Sequence, residues 1–188
     1  MEKTLSTADE FKAVLENCRS LFVKKMHDYG VAWSVMRPTS VTDQLFIKAS
    51  RIRSLEVKGE AQVDEGIVPE FVGIVNYALM GLTLLELPQG EAAARPGMLS
   101  QEEALAHYDR HAGETLQLML RKNHDYDEAW RGMRVSSYTD LILMKLFRTK
   151  QIENLKGQTL VSEGIAANYM DMMNYAVFAL IKLTIEKE

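Results

Sequence analysis

Lys48 and Arg51 stand three residues apart, and the same pair returns as Lys145 and Arg148. Residues at that spacing are neighbours on one face of a helix. Two such cations can hold the phosphates of a nucleotide, the arginine making a bidentate contact. The competing use is an inter-helix salt bridge to Glu65 or Glu163. Further along, Glu163, Asp171 and Asn174 fall within a helical arc of about 80°. Carboxylates converging from neighbouring helices are how a bundle builds a Mg²⁺ site, since that ion takes oxygen ligands and keeps several waters. Glu163 has an ordinary explanation in the dipole of a helix N-terminus. Asp171, placed mid-helix near an apolar face, has none, and is the strongest candidate for a functional carboxylate.

These residues belong to a long internal repeat. His27-Asp28-Tyr29, with Trp33 after it, returns 97 residues later as His124-Asp125-Tyr126 with Trp130. Asp43 returns as Asp140 and, after a slip of one residue, Glu65 as Glu163 and Asn76 as Asn174. A period this long suits a duplicated small domain, not a solenoid unit. The copies differ at one telling place. Gly73 stands where the second copy has Asp171. Glu70, about 120° around the helix from Asn76, is not expected to replace that acid. Tyr29, Trp33, Tyr126 and Trp130 have the types needed to stack on a base, though an aromatic in such a loop also serves to plug the end of a bundle. Asp28 and Asp125 share those loops.

The elements that must position these groups read as helices. A first helix opens at Ser6 or Thr7 and runs to about Met26, before Gly30. A second is capped by Ser40, with Ser137 in its copy, and stops before Gly59. A third runs from about Asp64 to Leu87 along Ile67, Phe71, Ile74, Ala78, Leu82 and Leu85, with Pro69 threatening a bend. Residues 88–99 read as a linker. Ser100 then caps a fourth helix, and Ser162 a sixth. No stretch alternates with period two. The expectation is an all-α protein with a first helical repeat at 1–87 and a second at 100–188, packed as a pseudo-twofold bundle. Each half is small enough to be marginal alone, so a shared core is expected.

Composition narrows the function classes. A net charge of −4 gives no basic footprint for a nucleic-acid backbone. Cys18 is alone in the chain and falls on an apolar helical face, so an inert core thiol in a reducing compartment is expected. The N-terminus has no long apolar run, hence no membrane partner is expected and the location reads as cytoplasmic. Met170, Met172 and Met173 read as core filler. There is no glycine-rich phosphate loop and no GxSxG elbow, and the expectation is that no Cys or His pair stands at zinc spacing.

The combination Lys25-x-His27-Asp28-Tyr29-Gly30-x-x-Trp33, Asp43-x4-Lys48-x2-Arg51, Glu65 and Asn76-Tyr77-Ala78 resembles the nucleotide modification associated domain 1 family, a relative of the MazG-like all-α nucleoside triphosphate pyrophosphatases. The resemblance covers residues 21–80 and again 118–180. It implies a nucleotide partner, an NTP or dNTP, held by Lys48, Arg51, Lys145, Arg148, Asn76, Asn174 and the aromatic loops. It also implies Mg²⁺ as cofactor, with Glu163 and Asp171 as catalytic carboxylates and metal ligands, and Asp140 a further ligand from the second helix. The enzymatic form of this expectation is hydrolysis of a nucleoside triphosphate to the monophosphate. A non-catalytic nucleotide sensor and a helical scaffold are the alternatives, and a homodimer is the assembly such relatives suggest.

Overall fold

The computed structural model describes residues 5–59, 66–88, 99–161 and 163–187. Among the described residues there are six α-helices: α1 Thr7–Tyr29, α2 Pro38–Lys58, α3 Val68–Glu86, α4 Gln101–Tyr126, α5 Val135–Asn154 and α6 Ile165–Leu180. Short 3-10 turns at Ala32–Val35 and Ala129–Gly132 stand at equivalent places, and a π-helical turn, Ile181–Glu186, prolongs α6. Among the described residues there is no strand, so the all-α expectation holds.

Local chemistry explains most of the boundaries. The Ser6 side chain accepts from the Asp9 amide at 3.2 Å and opens α1. Ser100 and Glu103 form a reciprocal capping box at the start of α4. Gly59 closes α2 at φ +69°, a conformation other residues adopt only at a cost. Three expectations are corrected. First, α1 continues through His27-Asp28-Tyr29 to Gly30, so the triplet is the last turn of a helix. Second, α2 and α5 begin at Pro38 and Val135, which puts Ser40 and Ser137 inside the first turn instead of at the cap. Pro38 suits the first helical position, where a missing N–H costs nothing. Third, α3 begins at Val68, so Pro69 lies in its first turn and the feared interior break does not arise. Asp64, Glu65, Ser162 and most of the linker lie outside the described residues.

Packing joins the copies along two seams. α3 runs along α6 and α2 along α5, with α1 and α4 laid against α3 and α6. One buried core draws on all six helices. α3 is long and apolar enough by composition to cross a bilayer, yet most of it is buried against its neighbours. The α2–α5 seam is reciprocal. Thr42 donates to Glu153 at 2.6 Å, and Thr139 to Glu56 at 2.7 Å. Asp43 pairs with Lys150 at 3.0 Å, and Asp140 pairs with Arg53. Each partner in one contact is 97 residues from its counterpart in the other. A twofold relation demands this exchange of partners. The internal repeat is a pseudo-twofold.

Candidate functional site

The second copy gathers its charges where α4, α5 and α6 meet. From α6, Asp171 is only 6% exposed. Lys122 of α4 donates to its Oδ1 at 2.6 Å, and Lys145 of α5 donates to its Oδ2, also at 2.6 Å. Burial opposes the Asp171 carboxylate, but the two lysine hydrogen bonds outweigh it and hold its pKa below the usual range. Burial likewise opposes the Lys122 ammonium, and the bond to Asp171 overrides it, raising the Lys122 pKa. Lys122 and Tyr126 are one turn apart on α4 and share a face. Tyr126 is 71% exposed. Burial raises the pKa of Tyr175, one turn beyond Asp171, and the charges of Asp171, Lys122 and Arg148 all reach it. The site therefore offers three cations, a pinned carboxylate and an open aromatic ring.

Residues expected to hold Mg²⁺ do not assemble into a cage. Both Asp171 oxygens are engaged by lysines. Asp140 faces Arg53 across the α2–α5 seam, where Asp43 mirrors it, so its recurrence is explained by the interface. Glu163 is exposed, ahead of α6, with its charge felt by Lys122. Among the described residues these three carboxylates do not form a group with ligand atoms in reach of one another.

The first copy solves the same problem differently. Arg51 donates to Glu70 at 2.6 Å and Lys48 does so at 3.4 Å. Glu70 thus does replace the missing acid, one helical turn earlier, where the second copy has Asn168. Gly73 makes this possible. A Cβ there would lie 2.6 Å from Lys48 Cε, so the bare backbone lets the lysine stem cross α3. Helical angle alone misjudges Glu70, because a long lysine reaches along the helix as well as around it.

The remaining candidates divide. Asn76 is structural: it donates to the Cys18 carbonyl at 3.1 Å and accepts from Tyr108 at 2.8 Å. Asn174 is buried with its Oδ1 unpartnered; the counterpart of Tyr108 in the first copy is Phe11, which has no hydroxyl to give. Trp130 is buried, stacked on Phe178 at 4.4 Å, and donates to Glu128. Trp33 packs near Phe22 with its Nε1 buried and unpartnered. Trp130 thus belongs to the buried core, and Trp33 is partly buried and packed against it. Tyr29, by contrast, is 73% exposed, and Asp28 and Asp125 are exposed beside His27 and His124. Cys18 is buried, its thiol pushed up to about 12.

Two groupings lie outside the sequence-based expectations. Arg131 ties Glu10, Thr7, Glu128 and Glu186 together and has only Ser34 as counterpart. His107 and His111 do form a pair, four apart on α4, beside Glu86 of α3. The spacing is visible in the chain, but Glu86 is 21 residues before His107 and only the fold joins them.

In comparison with known proteins, a family model described as nucleotide modification associated domain 1 matches residues 25–85 and 122–183. No curated protein and no solved structure matches the chain.

Proposed function

We propose, from the fact that this chain belongs to the nucleotide modification associated domain 1 family, that it binds a nucleotide by its phosphates at the second repeat's Lys122–Lys145–Arg148 cluster. One observation carries this reading: a buried carboxylate presents two lysines, and an exposed tyrosine stands one turn from the outer one. Phosphate oxygens make the same demand on an ammonium as the Asp171 oxygens do, so both lysines are already aimed, and Lys145 is already desolvated. Tyr126 offers a face on which a base can stack. The binding module is favoured over a Mg²⁺-dependent pyrophosphohydrolase, because Asp171 would first have to be released from both lysines to serve as a metal ligand.

The test is a thermal-shift panel of nucleoside and deoxynucleoside triphosphates on the full chain, each with and without Mg²⁺, followed by product analysis. A ligand at a hundred times its Kd stabilises by about 2.7 kcal/mol. Such a shift is expected with no product, and is expected to vanish in Lys122→Gln. Monophosphate with pyrophosphate would establish the enzymatic form. A panel with no shift would sink the nucleotide reading and favour a helical scaffold.

A further inference from the structure

We infer that Glu86, His107 and His111 form a binding site for a divalent transition ion of the Zn²⁺ class, about three helical turns along α4 from the Lys122 bond to Asp171. His107 and His111 are one turn apart, and Glu86 approaches from the end of α3. Glu86 Oε2 is 3.2 Å from His107 Nδ1 and 3.5 Å from His111 Nε2. Ligand atoms at about 2.0–2.1 Å from a tetrahedral ion stand about 3.3 Å from one another. Two of the three separations therefore already match, and all three atoms lie within 4.8 Å of one another.

A cationic nitrogen now fills this space. Arg110 NH2 contacts Glu86, lies 3.1 Å from His107 Nδ1 and 3.4 Å from His111 Nε2. For both imidazoles to accept from a guanidinium, each must turn a lone pair inward. Those are the lone pairs an ion would use. The other ring nitrogen of His111 lies 3.4 Å from Glu114, the carboxylate–histidine arrangement that fixes a ligand's tautomer. Arg110 already reaches Glu114 at 3.2 Å, so it has a carboxylate to retire to when an ion enters. Two imidazoles and one carboxylate select Zn²⁺ or its transition-metal neighbours over Mg²⁺. The first copy has no counterpart, since Glu10 and Val14 stand in the places of His107 and His111.

Untagged, metal-free full chain titrated with Co²⁺ should develop visible d–d absorption saturating at one ion per chain, and Zn²⁺ should displace it. Glu86→Gln and His107→Gln, both at the solvent rim, should each weaken uptake at least about tenfold. Arg110→Gln should strengthen it by removing the competing charge. His27→Gln/His124→Gln should leave it unchanged. Absence of a saturable one-to-one uptake would overturn the site. So would uptake that survives Glu86→Gln and His107→Gln but fails in the His27/His124 variant.

Discussion

At the residue scale the decisive group is Asp171. Its folded pKa is depressed, so the unfolded chain takes up the proton first. The stability it supplies is then present above the ordinary aspartate value of about 3.9 and is lost as pH falls below it, through the lower folded value. Asp171→Asn removes the negative centre between two ammonium groups, one of them buried. Breaking a buried pair on one side costs about 3 kcal/mol at neutral pH. Urea unfolding of the variant and the parent should show that gap near pH 7 and should show it closing towards pH 3. A gap independent of pH would mean that the carboxylate's charge is not what stabilises the fold. The same variant bears on function, because it leaves Lys122 and Lys145 without their internal acceptor. If phosphate is the natural competitor, Asp171→Asn should gain more thermal stability from a bound nucleotide than the parent does. A smaller gain would argue that the lysines serve only the ion pair.

At the scale of elements the two seams respond in opposite ways. In the α2–α5 seam, burial raises the pKa of Glu56 and of Glu153, with the threonine hydrogen bonds only partly offsetting it. Glu56 Oε2 is buried with no partner. A raised folded pKa means that native stability is lost as pH climbs from the unfolded value towards the folded one. Glu56→Gln keeps an oxygen for Thr139 and removes the buried charge. It should stabilise by about 1 kcal/mol at pH 7 and by less in acid, checked by thermal melts across that range. The α3–α6 seam depends on close approach instead. A Cβ at Gly81 would lie 2.7 Å from the Tyr169 ring. That ring is fully buried, and its hydroxyl is tied to Thr42 at 2.7 Å and to the Pro38 carbonyl at 3.1 Å. It has nowhere to go. Gly81→Ala should therefore cost about 1–3 kcal/mol as overpacking, despite alanine's better helix propensity. Gly73→Ala, which meets only the flexible end of Lys48, should cost far less; equal losses in urea melts would refute the distinction.

At the scale of the whole molecule, the internal repeat makes the architecture legible in the sequence itself. Period, caps and apolar spacing point to six helices, and the matching copies imply a pseudo-twofold. Which recurrences are functional cannot be read the same way. Asp43 and Asp140 recur because a twofold seam uses each residue twice, whereas Lys48 and Lys145 recur while their acids sit one turn apart in the two copies. A one-dimensional comparison sees identity of type and spacing, and cannot see that a lysine stem crosses a glycine. The Glu86–His107–His111 grouping shows the converse, since it crosses the boundary between copies and repeats in neither. The reciprocal seams also bear on stability. Each repeat buries its third helix against the other repeat's, so either one alone would expose the apolar faces of α3 or α6 to water. Residues 1–87 or 100–188 expressed separately should lack a cooperative unfolding transition as monomers, by circular dichroism and sedimentation. Because the α2–α5 contacts are self-complementary in kind, any folded form of an isolated half should be a dimer that restores them. A half that folds as a stable monomer would show that the shared core is not required, and that the repeats are two domains instead of one.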